Sequence, residues 1–291
     1  MPKTSHNEQR NTESIGKSVG TKPGSTESLV TCHEDARGVV RLQLNRPDAF
    51  NALSSEMLAQ LQSAIDTISQ SSTARVVVLS AAGKAFCAGH DLVEMRSQPS
   101  MDFYQTLFAQ CSRMMLSLQA LPVPVIAQVN GVATAAGCQL VGMCDLAIAS
   151  STSRFAVSGV NLGLFCATPS VALSRNLPRK AAFEMLVTGQ FISAPEAQTR
   201  GLINRVSEPE SLEADTEALV QSILAKPRVA LAMGKQLFYK QLEVGISQAY
   251  QLAEQTMACN MMDPSAQEGV QAFIDKRPPD WAGQSTSKSA R

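Results

Sequence analysis

The sequence carries no excess charge of either sign: 25 basic and 25 acidic side chains leave a formal net charge of zero over 291 residues. A neutral chain has no electrostatic footprint for a nucleic-acid backbone or an anionic membrane surface, so a small-molecule or protein partner is expected. Histidine is scarce, with only His6, His33 and His90. The seven cysteines (Cys32, Cys87, Cys111, Cys138, Cys144, Cys166, Cys259) are an odd set with no C-x-x-C pair. That pattern argues against a disulfide framework or a metal site and for buried thiols in a reducing compartment. No apolar run approaches the roughly 20 residues of a bilayer span, and the N-terminus lacks the apolar core of a secretory signal. A soluble, unsecreted protein is expected, in the cytoplasm, with the mitochondrial matrix as the alternative.

What is present is a chain long enough to bury a substantial core. Residues 1–28 are rich in Ser, Thr, Asn, Gly and Lys and nearly devoid of apolar side chains, so a disordered tail is expected there, as it is over 282–291. A transit peptide is the other reading of the first tail, although Glu8, Glu13 and Glu27 interrupt the acid-poor pattern it needs. Between the tails, strands and helices alternate. Residues 39–44 read as a strand, a helix begins near Ser54 with the hydroxyl as its cap, 75–80 is a buried strand, and 101–121 is an amphipathic helix. Strands over 123–129 and 145–150 continue the series. Alternation of this kind predicts stacked β-α units in an α/β core over 29–211. From about Leu212 to residue 281 the signal is helical only, which predicts an appendage packing on the core or on a neighbouring subunit.

Two segments place small residues where a strand hands over to a helix: K-A-F-C-A-G-H-D-L at 84–92 and N-G-V-A-T-A-A-G-C-Q-L at 130–140. Small residues let a ligand approach the backbone, and the free amides at a helix N-terminus point outward with the positive end of the dipole behind them. Two such amides converging on one point make an oxyanion hole, where a single donor is worth about 2.7–4 kcal/mol of barrier height. Either segment alone is equally well read as a tight turn.

Together the two segments resemble the signature stretches of the crotonase superfamily, the enoyl-CoA hydratase/isomerase group. The resemblance runs from L-N-R-P-D-A-F-N-A-L at 44–53 to F-I-D-K-R at 273–277. Runs 134–140, 159–166 and 238–242 are similar to one branch of that family, and they include positions that depart from the general pattern. The resemblance implies a crotonase (ClpP-like) spiral of stacked β-β-α units with a C-terminal helical trimerisation region, assembled as a homotrimer or a dimer of trimers. It implies that the backbone amides of His90 and Ala136 form the oxyanion hole and that Ala52 and Ala88 line the CoA path. Phe273 and Lys276 would meet the adenine and phosphates. No separate cofactor is implied; the CoA thioester is itself the substrate or ligand.

The same resemblance places the two hydratase glutamates at the positions held here by Gln139 and Gly159. An amide exchanges no proton near neutral pH and glycine has no side chain, so weak or absent hydration is expected. Asp145 is the only carboxylate between Asp102 and Glu184 and reads as a structural residue at a strand start. His90 is the one histidine in a signature loop and Cys166 a candidate nucleophile without a histidine partner; Gln139 and Asn161 are candidates to hold a water by hydrogen bonds. Three readings stay open: an acyl-CoA-binding protein of weak activity, a decarboxylase or thioester hydrolase needing only the oxyanion hole, and a non-catalytic CoA-binding protein.

Overall fold

The computed structural model describes residues 28–281, so the tails expected at 1–28 and 282–291 lie outside the described residues, Ser28 apart. The chain opens with β1 (Val30–Glu34) and β2 (Val39–Leu44), then α1 (Ser55–Gln70). Strands β3 (Val76–Ala81) and β4 (Ala85–Cys87) lead into α2 (Leu92–Ser97) and α3 (Met101–Ala120). Strands β5 (Val125–Val129) and β6 (Val132–Thr134) lead into α4 (Ala136–Met143), and β7 (Leu146–Ser150) and β8 (Arg154–Ala156) into α5 (Ala167–Asn176) and α6 (Arg179–Thr188). After β9 (Ile192–Ser193), α7 (Ala194–Thr199) and β10 (Arg205–Ser207) come α8 (Leu212–Leu224), α9 (Arg228–Leu242), α10 (Ile246–Met261) and α11 (Pro264–Ile274).

The strands sort into two sheets. One has the order β1-β2-β3-β5-β7-β10, parallel except at the β1–β2 edge, and the other β4-β6-β8-β9, parallel except at β8–β9. Three successive coils, opening at β3, β5 and β7, therefore each give a long strand to the first sheet, a three-residue strand to the second, and then a helix. This is the stacked β-β-α arrangement expected from the resemblance. The short strands β4, β6 and β8 carry too few residues for a period-2 signal, and the first two lie within segments read from sequence as loops. The first strand read from sequence, 39–44, is preceded by β1, which contains His33 and whose one buried residue, Val30, leaves no alternation to detect.

Alternation within β3 explains its continuous apolar run. Val77 and Leu79 enter the main core, while Val76 and Val78 face the opposite side of the sheet. There Leu212, Leu219, Val220 and Ile223 of α8 cover them, together with Val39, Ile126 and Ile148. Burying each such side chain contributes about 1.5–3 kcal/mol. Ser54 caps α1 by accepting the Met57 amide, as its position before the apolar stripe predicts.

Beyond α8 the packing changes character, because α9 and α10 contain no buried apolar residue. Polar anchors hold them instead. Lys235 Nζ donates to Asp145 Oδ2 at 2.7 Å and to the carbonyls of Leu118 and Val123, and the Tyr239 hydroxyl donates to Asp145 Oδ1 at 2.7 Å. Asp145 also accepts the Val125 amide at 2.6 Å, so one carboxylate ties β5, the start of β7 and α9 together. The side chains of Lys235 and Asp145 are only 7% and 14% exposed, and burial lowers the lysine pKa against the opposing pull of Asp145. Among the described residues no helix is long and apolar enough to cross a membrane.

Breaking a buried pair by removing one partner strands the other charge. Lys235→Met is expected to lower stability by about 3–5 kcal/mol in urea unfolding. Tyr239→Phe, which removes a single bond to a charged acceptor, should cost about 1.5–3 kcal/mol in the same measurement.

Candidate active site

The two handover loops meet. A β-carbon at Gly89 would stand 2.9 Å from Ala135 Cβ and 3.3 Å from the Ala136 nitrogen, and the residue has a φ of +95°, so only glycine serves there without strain. Ala135 opposite it holds a left-handed φ of 50°, a costly conformation for a residue with a β-carbon. It is held there on both sides: its amide donates to the Ala156 carbonyl at 2.9 Å, and its carbonyl accepts the Gln139 amide at 3.0 Å, opening α4.

The first loop is fixed by a turn upstream. Asn51, fully buried, accepts the Arg46 amide and donates to the carbonyls of Ala82 and Ala85, pinning 46–52 against β4. The Ala88 amide donates to the Phe50 carbonyl and the Leu53 amide to the Gly89 carbonyl, so Ala52 and Ala88 lie on two adjoining backbone segments. Leu53 and His90 form a parallel bridge whose bonds run from Leu53 N to Gly89 O and from Asp91 N to Leu53 O. The His90 N–H takes no part in that bridge. Asp91 caps α2 by accepting the Val93 and Glu94 amides and also binds Arg46 at 2.7 Å. Partial burial alone would raise the Asp91 carboxyl, but these donors outweigh it and hold it below the ordinary range.

Ala136 is the first residue of α4, and the first amides of a helix have no carbonyl to reach within it. Neither the His90 nor the Ala136 N–H has an acceptor among the described residues. The His90 ring is held by Leu53 and Phe108: Nδ1 lies 3.3 Å from the Leu53 carbonyl, and the ring meets Phe108 edge-on at 5.3 Å. A carbonyl only accepts, so the neutral ring carries its proton on Nδ1 and leaves Nε2, buried and without a partner, as the basic nitrogen. Burial lowers the His90 pKa, with Leu53 and Glu94 opposing more weakly.

Gln139, one turn into α4, is 5% exposed, and its Oε1 has no hydrogen-bond partner. Gly159 lies in a short 3₁₀ turn over Ser158–Leu162 and is buried. A β-carbon there would stand 2.5 Å from the Leu164 carbonyl oxygen and 2.7 Å from Cys166 Sγ. Asn161, a candidate for holding water beside Gln139, instead donates to the Gly189 carbonyl at 3.4 Å. Asp145 serves the α9 anchor and is not free for chemistry. The structure thus brings Ala52, Ala88, His90, Ala136 and Gln139 onto neighbouring stretches of backbone. Phe273 and Lys276 are elsewhere, at the end of α11 and just beyond it, and Phe273 is 85% exposed. Sequence reasoning missed Asn51 and Arg46, although the N-R-P-D-A-F-N run carried them. An open cleft of about 700 Å³ between α5 and α6, lined by Phe165, Phe183, Leu186 and Val187 among others, includes neither free amide.

Comparison with known proteins gives a consistent result. The profile of the enoyl-CoA hydratase/isomerase family matches residues 34–284. The mouse protein named enoyl-CoA hydratase domain-containing protein 3, mitochondrial, is 45% identical over 265 residues, covering 91% of this chain and 88% of its own length. Its human counterpart is also 45% identical, over 91% of this chain and 87% of its own. Among solved structures, an enoyl-CoA hydratase of Mycobacterium smegmatis superposes with a TM-score of 0.87 at 62% identity, covering 88% of this chain and 99% of that one. The human domain-containing protein 3 structure gives a TM-score of 0.84 at 43% identity, over 87% and 100%. The branch expected from runs 134–140, 159–166 and 238–242 is that of domain-containing protein 3, to which the mouse and human proteins belong. Their names place the mouse and human proteins in mitochondria, the alternative expected above, and lend nothing to the cytoplasmic expectation.

The His90 environment sets a pH dependence. Below pH about 6.5 the unfolded chain protonates this ring while the folded chain resists, so unfolding takes up a proton and stability falls with falling pH. Above that value both states are neutral and the ring contributes nothing. His90→Gln is expected to remove a slope of up to about 1.4 kcal/mol per pH unit below pH 6.5, measured by urea unfolding across that range.

Proposed function

Because the chain belongs to the enoyl-CoA hydratase/isomerase family, we propose that it binds acyl-CoA thioesters, with the carbonyl oxygen received by the His90 and Ala136 amides. The observation that carries this reading is the pair of acceptor-free N–H groups on two loops in contact at Gly89. Such donors polarise a thioester and stabilise the enolate or tetrahedral oxyanion derived from it, without reorganising as charge develops. Ala52 and Ala88 flank the approach with small side chains suited to a close-lying pantetheine.

Hydration is weak or absent in this proposal. Water must be deprotonated at one carbon while a proton reaches its neighbour, and Gln139 and Gly159 supply neither a base nor an acid; forgoing such catalysis costs typically ~10²–10⁴ in rate. The contacts at Gly159 support the point, because a side chain there collides with the Leu164 backbone. Reactions that need only a stabilised oxyanion, such as loss of carbon dioxide from a malonyl-type thioester or slow thioester hydrolysis, are favoured by the same survival of the amides without the carboxylates. The uncovered apolar side chains of α9 to α11, among them Phe238, Leu242, Tyr250 and Phe273, support a homotrimer or dimer of trimers in which Phe273 and Lys276 reach a neighbour's ligand. Seven free thiols suit a reducing compartment, the matrix of the named relatives or a cytoplasm.

Calorimetry with crotonyl-CoA is expected to give micromolar binding, with turnover to the 3-hydroxy product below ~1 per second; rates typical of enzymes, ~1–10³ per second, would sink the proposal. Binding with no turnover of any thioester would identify a carrier instead. Gly159→Glu should cost about 1–3 kcal/mol by overpacking. The double variant Gln139→Glu, Gly159→Glu should still fall short of ~1 per second in the same assay.

A further inference from the structure

The space into which a side chain at Gly159 would grow is not empty. Cys166 Sγ stands 2.7 Å from that β-carbon position, and the Gly159 N–H donates to the sulfur. Cys166 is also the residue preceding the first turn of the ten-residue helix α5, where the amide dipoles favour negative charge. A buried thiol in such a place would ordinarily be packing. A second observation points to a ligand. Gln139 is 95% buried, and its Oε1 has no partner. It lies on the side of α4 that meets α5: Gly142, three residues on, packs against Ala172, and the thiol of adjacent Cys138, raised chiefly by burial, also feels Cys166. An orphaned amide at that corner marks space kept for a polar group.

We infer that the Cys166 thiol is the proton donor to the α-carbon of a thioester enolate held by the His90 and Ala136 amides, standing where the family places the carboxyl of residue 159. The inference rests on the acyl-CoA reading of the site. In the step, the enolate π pair forms the new C–H bond and the S–H bond breaks with its pair remaining on sulfur. The carbonyl re-forms as the oxyanion collapses, and water returns a proton to the thiolate. The enolate arises by loss of carbon dioxide from a malonyl-type thioester or, in the reverse sense, by thiolate removal of an α-proton. A thioester enolate is a far stronger base than a thiolate, so a thiol made less acidic by burial still protonates it. The Gly159 N–H and the α5 terminus steady the transient thiolate.

Microscopic reversibility supplies the test, since the group that delivers the proton also removes it. The full-length protein is incubated with butyryl-CoA in deuterium oxide and α-deuterium incorporation is followed by NMR, with butyryl-CoA affinity measured in parallel. The wild type is expected to exchange, faster as pH rises and the thiolate is populated. Cys166→Ala should be about 10²-fold slower with no such pH dependence. Cys166→Ser, which keeps the volume and the hydrogen bond but not the acidity, should fall equally far; rescue by serine would reveal a merely structural role and overturn the inference. Cys259→Ala, at an exposed thiol far along α10, should exchange like the wild type. Butyryl-CoA that binds without exchanging, or exchange that survives in Cys166→Ala, overturns the proton-donor role alone. Failure to bind butyryl-CoA overturns the site reading and this inference together.

Discussion

The contact between Gly89 and the 135–136 peptide is the constraint on which the remainder of the site depends. Two successive coils of the spiral each end a short strand and open toward a helix, and their backbones come together only because residue 89 has no β-carbon to hold them apart. The same closeness is repeated one residue along α4, where a β-carbon at Gly137 would collide with the Cys87 carbonyl. Ala135 bears a positive φ as part of this arrangement, and the Ala136 nitrogen lies close to residue 89. The sheets act as the jig. Register between β4 and β6 sets the height of both loops, and the Asn51 staple prevents the upstream turn from relaxing away.

A different physics holds the C-terminal helices. Where α8 seals the sheet with apolar side chains, α9 reaches the core mainly through Lys235 and Tyr239 on Asp145 and through Arg228, which donates to the carbonyls of Ser71 and Ala74. Hydrogen-bonded anchors fix position and direction without requiring an apolar face to be spent inward. That leaves large side chains on α9 to α11 turned outward, a surface larger than single scattered exposed residues account for.

How much of this was legible in the sequence varies with the strength of each local signal. The long helices and strands β2, β3, β5 and β7 announce themselves through periodicity or continuous apolar runs, and Ser54 through its place ahead of a stripe. The three-residue strands of the second sheet carry no period, and β1 buries too little to alternate. At the site, the handover loops were visible as small residues between elements, but their meeting is a tertiary fact. So is the orientation of His90, whose ring is directed by Leu53 and Phe108, residues 37 and 18 positions away in the chain. The contact of Cys166 with Gly159 was equally hidden, because a seven-residue separation through a turn gives no pattern to read.

Gln139 and Gly159 sit in physically different surroundings. Gln139 has the length of a glutamate and occupies a buried place on α4 with an unpaired oxygen. At Gly159 the turn is tight: the Leu164 amide bonds to the Gly159 carbonyl at 3.0 Å, and the Leu164 carbonyl and the Cys166 sulfur occupy the space a side chain would need. A backbone atom cannot swing aside as a side chain can, so reopening the space requires moving residues 163–166 together with the start of α5. The two acceptor-free groups at His90 and Ala136 belong to the main chain, so they do not depend on which side chains stand at 139 and 159. Side chains at 139 and 159 can therefore differ while the fold and the amide pair stand.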